Sequence, residues 1–327
     1  MNMYIASCDD NGGLYHYTID NEGNINLIEK YALKNPMYMC IEDNKMHVLL
    51  RDPFGNKNSG IFTYTIGENG ELTNPTEMSD TGGVVGCHVS SVGDRIFCAN
   101  YISGNVSSLN RKVVEHIGKL GPNEKRQDKA HAHQMCVTPN KKFVCGIDLG
   151  IDAVIVYDLD LNEVSRANVP AGYGARHGVF TKDGKTLFVI NELTSHISVF
   201  SFDPYSGKCE YIKSFATNDG SGFAAAAAIR LTSDEKLLYA SERGDGTIIR
   251  FDVDGTELKN MKKFDCGGVF PRDFDLTPDG KFMVVTNEKT NNVAIFKVTE
   301  SGDIEKFTSL EDIIDPLCVV FCPEKNL

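Results

Sequence analysis

Histidines, arginines and acids stand beside strand-like segments at several points of the chain. His131 and His133 occur in the sequence AHAH, Arg176 in ARH, Glu192 in NEL and Arg243 in SER. A histidine or a carboxylate can take a proton from water, and a guanidinium group can stabilise an oxyanion or bind a phosphate or carboxylate. These residue types suit hydrolysis or proton transfer on a small anionic molecule.

A metal ion is a second use for this chemistry. His131 and His133 are two residues apart, so an extended strand would direct both side chains to one face. Asp148 would then serve as an acidic third ligand. Two histidines alone do not define a metal site, and no P-loop, GxSxG or dinucleotide-binding motif occurs in a suitable context. We therefore expect neither a metal nor a cofactor, and we keep a metal-dependent enzyme as an alternative.

A repeated unit positions these residues. Its clearest copy, PRDFDLTPDGKFMVVTNEKTNNVAIFKV, has runs of β-branched and aromatic residues with period two on either side of the turn Pro278-Asp279-Gly280. Such runs predict antiparallel strands, and Pro and Gly predict the turn between them. The predicted strands are 274–277, 282–286, 293–298 and 303–307.

The same unit is written seven times, about 47 residues apart, which is typical of a four-stranded propeller blade. The residue at the glycine position of the first turn marks each copy: Asn44, Gly93, Lys141, Gly184, Glu235, Gly280 and Glu324. The last copy has only its first strand, 317–321, and its turn, while the chain begins at Met3 with the three missing strands. We predict one all-β domain over 1–327, a seven-bladed β-propeller of four-stranded antiparallel blades, closed by a blade shared between the two ends.

Propeller topology selects the candidate residues. Those just before strand one and just after strand two of each blade lie on one face, and the PDGK-type turns lie on the other. Asn and Asp recur after strand two, as at Asp148, and favour a loop-capping role; residues that differ between blades are better functional candidates. The residues of this kind are His131, His133, Arg176, Glu192 and Arg243, which are the leading functional candidates. We predict substrate contacts for His88, His133, Asp148, His177 and Arg272, with His88 placed by assuming two missing residues in its blade.

Charge and composition limit the partners. The formal net charge is -12 and the pI about 5.2, which disfavours nucleic acid and anionic membrane surfaces. No run of 18 apolar residues, no signal peptide and no CxxC pair among ten cysteines is seen. We expect a cytoplasmic protein that is a monomer or homodimer and binds a small, anionic molecule.

The chain resembles the seven-bladed lactonase family, which includes propeller-type bacterial 6-phosphogluconolactonases and the fungal carboxy-cis,cis-muconate cyclase. The resemblance rests on KAHAHQMCVTPNKKFVCGIDLG, GYGARHGVFTKDGKTLFVINELTSHISVF, IRLTSDEKLLYASERGDGTIIRF and PRDFDLTPDGKFMVVTNEKTNNVAIF. It implies an active site of one His, two Arg and one Glu, which match His131 (or His133), Arg176, Arg243 and Glu192. Two departures are Ala175, where the family usually has proline, and Glu242, where relatives often have asparagine.

The resemblance also implies hydrolysis of a sugar-acid lactone, with 6-phosphogluconolactone of the pentose phosphate pathway as the best candidate. Glu192 or a neutral His131 would activate water, and Arg176 and Arg243 would stabilise the oxyanion. One alternative is another lactone, or cyclase-type proton transfer on the same scaffold. A second is a non-catalytic binding propeller, which the lack of Trp and of a Gly-His…Trp-Asp repeat disfavours.

Overall fold

The structure, a computed structural model, describes residues 1–218 and 223–322. Short segments with alternating or continuous apolar residues form its strands, and no helix in the described ranges could cross a membrane. In chain order the strands are β1 (Asn2–Ser7), β2 (Gly13–Ile19), β3 (Ile25–Tyr31), β4 (Pro36–Glu42), β5 (Lys45–Leu50), β6 (Asn58–Ile66), β7 (Leu72–Thr73), β8 (Ser79–Val84), β9 (Gly86–Val92), β10 (Arg95–Asn100), β11 (Asn105–Ser108), β12 (Lys112–Glu115), β13 (Ala132–Val137), β14 (Phe143–Asp148), β15 (Ala153–Asp158), β16 (Glu163–Asn168), β17 (Ala175–Phe180), β18 (Thr186–Asn191), β19 (His196–Phe202), β20 (Cys209–Ala216), β21 (Ala226–Leu231), β22 (Leu237–Glu242), β23 (Thr247–Asp254), β24 (Glu257–Asp265), β25 (Pro271–Leu276), β26 (Phe282–Asn287), β27 (Asn292–Val298), β28 (Ile304–Leu310) and β29 (Pro316–Phe321).

These strands form seven antiparallel sheets, the blades of a β-propeller, which confirms the predicted fold class. Blades one to six begin at β4, β9, β13, β17, β21 and β25, and the seventh joins β29 to β1, β2 and β3. Blade one departs from the four-strand pattern because β7 and β8 both pair with β6. Pro75 lies between them, and its missing N–H cannot continue a ladder. The outer strand of this blade is therefore divided in two.

The seventh blade closes the ring as predicted. Met3 of β1 pairs with Phe321 of β29, and Ile5 pairs with Val319. These side chains are buried against Phe282 of blade six, so the apolar core lies between neighbouring blades. The predicted turn at Glu324 lies outside the described residues.

The PDGK-type turns differ in detail from the prediction. In the clearest copy the innermost strand ends at Leu276, one residue early, because Thr277 closes the turn instead. Its backbone pairs with Phe282 and its hydroxyl donates to Asp279 at 2.7 Å. In blade one the turn has only two residues, and Asp43 (φ 54°), rather than Asn44, takes the left-handed conformation.

A β-bulge opens the innermost strand of every blade. In blade four, for example, Ala175 pairs with Asn191 and His177 with Ile190, so that Arg176 is left as the extra residue. A bulge near the end of a sheet changes the direction of the extra residue's side chain, so that it no longer follows the alternation of the strand. The corresponding bulged residues in five other blades are Met37, Cys87, His133, Arg272 and Leu317. Six of the seven blades thus turn one such side chain toward a common cavity on the propeller axis.

Ring closure can be tested with two isoleucines of the shared blade. Ile5→Ala removes a fully buried side chain packed across the closure and should lower the free energy of unfolding by about 2–5 kcal/mol. The control Ile28→Ala, at a position that is 54% exposed on β3, should change it by less than about 0.5 kcal/mol. Urea denaturation measures both. Equal effects would mean that β29 does not close the ring in solution.

Candidate active site

One buried carboxylate receives three guanidinium groups at the mouth of the channel. Glu192 Oε2 lies 3.0 Å from Arg176 Nε and 3.0 Å from Arg243 Nη2. Its Oε1 lies 2.5 Å from Arg126 Nη2. The two carboxylate oxygens therefore contact three cations, which come from three different segments of the chain. We call these four residues the arginine cluster.

Burial and neighbouring charges determine the protonation states of Glu192 and Arg176 in the arginine cluster. Burial on its own would raise the pKa of Glu192, but Arg243, Arg176 and Arg126 together hold it well below its usual range. Burial and the neighbouring Arg243 lower the pKa of Arg176 to about 9, which still leaves it cationic at neutral pH. Three cations face one anion, so the cluster keeps a surplus of positive charge in an acidic protein.

The strand ends of blades four and five place these groups. Arg176 is the bulged residue of β17, while Glu192 and Arg243 each follow the second strand of their blade. Arg243 Nε donates to the carbonyl of Ala225 at 2.8 Å, and Arg176 Nη1 donates to the carbonyl of Ala227. Alanines at this bulge leave room for two guanidinium groups beside their carbonyls.

Arg126 was not among the residues predicted from the sequence. It lies in the loop between β12 and β13, outside the repeated unit, and its side chain is 42% exposed. Arg126 Nη2 donates to the Tyr101 hydroxyl at 3.1 Å, and the adjacent Gln127 ties the loop down by donating to the carbonyl of Leu149 at 2.8 Å. The only available signal was the length of the segment before AHAH, which is a weak one.

His131 stands beside the arginine cluster. Its ring stacks on Tyr101 with centroids 4.4 Å apart, and Nδ1 donates to the Tyr101 carbonyl at 3.0 Å. Nε2 lies 2.9 Å from Asp128, whose side chain is exposed. Asp148 accepts the backbone N–H of His131 at 2.9 Å. Tyr101 thus joins His131 to Arg126.

The other predicted histidines form a separate group deeper in the channel. The ring of His177 meets those of His133 and His88 edge to face at 5.1 and 5.5 Å, and His88 packs on Tyr38 at 4.5 Å. Burial, followed by nearby arginines, lowers the pKa of His88 to about 3 and holds those of His133 and His177 well below normal. All three are neutral at pH 7. Cys87, and not His88, occupies the bulge of blade two, because the bulged residue lies six positions before Gly93, two fewer than the eight that separate His133 and Arg176 from their turn landmarks.

His133 and His177 line a narrow cavity on the axis, which has room for about one water molecule, whereas His88 does not line it. Arg176 also lines it, so the cavity connects the arginine cluster with His133 and His177. Arg272 lines the same cavity and donates to Glu288 at 3.0 Å. This volume is too small for a sugar-sized molecule, so a ligand of that size would have to bind above this cavity.

Asp148 is placed differently from the other predicted residues. Its Oδ1 accepts backbone N–H groups of His131, Gly150 and Ile151, and its Oδ2 lies 2.8 Å from His116 Nδ1. The carboxylate is fully buried and caps the loop that carries His131. We therefore leave Asp148 out of the proposed substrate contacts. Among the residues that the structure describes, no group of three His, Cys, Asp or Glu could hold a metal ion.

Comparison with known proteins places this channel in a family. The family described as Lactonase, 7-bladed beta-propeller matches residues 2–321. The chain belongs to this lactonase family. A 6-phosphogluconolactonase from Bacillus subtilis (strain 168) is 32% identical over 333 residues, which cover 94% of each chain. The resemblance stated from the motifs is therefore confirmed.

Solved structures agree with the lactonase fold. A protein from Lactobacillus plantarum has a TM-score of 0.88 and 27% identity, covering 99% of this chain and 100% of its own. A periplasmic gluconolactonase from Pseudomonas aeruginosa has a TM-score of 0.89 at 22% identity and covers 98% and 99% of the two chains. At that identity the second likeness supports the fold alone.

The charge balance of the arginine cluster has a measurable consequence. Glu192→Gln would leave three guanidinium groups around a neutral amide, and breaking such a buried arrangement costs about 3–5 kcal/mol. Glu288→Gln is the matched control, because Glu288 also pairs with two cations on the same face, but both of these are more exposed than Arg176 and Arg243. Urea unfolding should show the larger loss for Glu192→Gln. Equal losses would mean that solvent already screens the cluster.

Proposed function

We propose that the protein hydrolyses a sugar-acid lactone, with 6-phosphogluconolactone as substrate. The observation that carries this proposal is the arginine cluster, a site with surplus positive charge beside His131 in a protein of net charge -12. Such a site attracts an anionic substrate and stabilises the negative charge that forms on a carbonyl oxygen. The family and the Bacillus subtilis relative support lactone chemistry.

The arginines act on the carbonyl. Arg176 and Arg243 are held on opposite sides of one carboxylate oxygen, so their remaining N–H groups are fixed before substrate binds. Fixed donors need no reorganisation as the oxyanion develops, and each such donor contributes about 10²–10³ in rate. Glu192 keeps the two guanidinium groups in place. No covalent nucleophile is required.

His131 is the better general base. The pKa of Glu192 is too low for it to accept a proton efficiently near neutral pH. At His131 the Tyr101 carbonyl fixes the proton on Nδ1, which leaves Nε2 to take a proton from water. Asp128 lies where that proton arrives and stabilises the imidazolium ring that forms.

This assignment implies a place in the pentose phosphate pathway and in the cytoplasm, with a small anionic lactone as the partner. The same groups could serve a cyclase-type reaction, because a base and an oxyanion site also suit proton transfer next to a carboxylate. Measured turnover of a lactone and of a cyclase-type substrate would decide between the two reactions.

Hydrolysis of 6-phosphogluconolactone and of gluconolactone should be measured as the rate of acid release above the spontaneous background. We expect turnover of the phosphorylated lactone and a fall of about 10²–10³ in kcat for Arg176→Ala. Arg111→Gln changes an arginine on the opposite face, paired with Asp94, and should retain full activity. A folded wild-type protein that accelerates neither reaction would refute the assignment.

The pH dependence tests which group is the base. Because its pKa is held far below the usual value, Glu192 stays ionised throughout the range from about pH 5 to pH 8. Glu192→Gln should therefore lower kcat/KM by the same factor at every pH in that range, so any acid limb of the profile should persist in this variant. An acid limb that disappears in Glu192→Gln would identify Glu192 as the base.

A further inference from the structure

A second pocket adjoins the cavity on the axis. Arg272 and Leu317 line both, so these two residues form the wall between them. The second pocket is open and polar, with a volume of 450 Å³. Arg51, Glu288, Lys289, Asn291 and Asp315 complete its wall. We call it the Arg51 pocket. It lies on the same face as the arginine cluster, since its residues precede strand one or follow strand two of blades six, seven and one.

The Arg51 pocket concentrates positive charge. Glu288 is shared, with Oε2 at 3.0 Å from Arg272 Nη1 and Oε1 at 2.7 Å from Lys289 Nζ. In the described part of the chain no carboxylate lies within ion-pair distance of the Arg51 guanidinium group. Three cations against two acids make this pocket net positive, and Arg51 is available to a ligand.

Asp315 is the acid that opposes an anion here. Its backbone N–H donates to Asn291 at 2.9 Å, and its backbone adopts the left-handed conformation (φ 45°). Burial and the neighbouring Glu288 raise the pKa of Asp315, so its negative charge is more easily lost than that of Glu288. An anion bound beside Asp315 would favour the protonated form of its carboxyl group, which can donate a hydrogen bond.

From this geometry we infer that the Arg51 pocket binds the phosphate of a phosphorylated sugar lactone whose ring lies at Arg176. The inference rests on the proposed function and adds the reason for a phosphorylated substrate. A ligand that spans the shared wall at Arg272 would place its ester at the arginine cluster and its phosphate at Arg51 and Lys289. Guanidinium geometry suits phosphate oxygens. An unphosphorylated lactone leaves this pocket to water.

Two substitutions with opposite expected effects test the pocket. Arg51→Gln should lower the ratio of kcat/KM for 6-phosphogluconolactone to that for gluconolactone by about 10- to 100-fold, the effect of losing a charge-assisted hydrogen bond. Asp315→Asn keeps the shape, tolerates the left-handed backbone and removes the opposing charge, so it should raise this ratio. Arg111→Gln, on the opposite face, controls for a general change in net charge and should leave the ratio unchanged.

Equilibrium binding separates this inference from the catalytic one. Calorimetry with 6-phosphogluconate and gluconate needs no turnover. The wild type should bind 6-phosphogluconate more tightly than gluconate, and Arg51→Gln should weaken only the former, by about tenfold or more. An inactive protein that shows this pattern would refute the lactonase assignment and support the phosphate pocket. Equal binding of the two acids by the wild type, or an equal effect of Arg111→Gln, would refute the pocket.

Discussion

The β-bulge at the start of each innermost strand is the feature on which the channel depends. A regular strand alternates its side chains between the two faces of its sheet, and both faces of a propeller blade are buried against neighbouring blades. An extra residue escapes this alternation, and at the strand end it is directed toward the axis. Arg176, His133 and Arg272 are such residues. The blades can therefore keep similar cores while their bulged residues differ.

The second constraint is the cost of burying charge. Arg176 is almost fully buried, and a guanidinium group in that position needs a partner and acceptors for its N–H groups. Glu192 supplies the negative charge, and the alanine carbonyls of blade five supply acceptors. Arg126 then shares the same carboxylate from the solvent side. Two cations and one anion are thus buried together, and the third cation, Arg126, extends the surplus of positive charge to the solvent side.

The fold could be predicted from the sequence because each blade repeats the same turn and strand pattern, and because β29 and β1 are complementary fragments of one unit. The placement of Arg176, Glu192 and Arg243 followed from that topology, although their catalytic roles remain predictions. Individual turns were less predictable. In blade two Cys87 occupies the bulge in place of the expected His88, because a unit shortened by two residues places the bulge six positions before Gly93. The length of each turn must therefore be known before a residue can be assigned to the bulge.

Arg126 shows why the remainder of the site could not be predicted. Repeat logic assigns a place only to residues within the repeated unit, and Arg126 lies in a loop between two units. What brings it to Glu192 is a set of contacts specific to that loop, chiefly the hydrogen bonds of Gln127 and Tyr101. The Arg51 pocket was unpredictable for a related reason. Arg51, Lys289 and Asp315 come from three blades. Arg51 directly follows strand two of blade one, as Arg243 does in blade five, but Lys289 and Asp315 have no counterpart of the same type in the other blades. Residues that distinguish one substrate from another are expected in such positions, because the repeated framework leaves them free to vary.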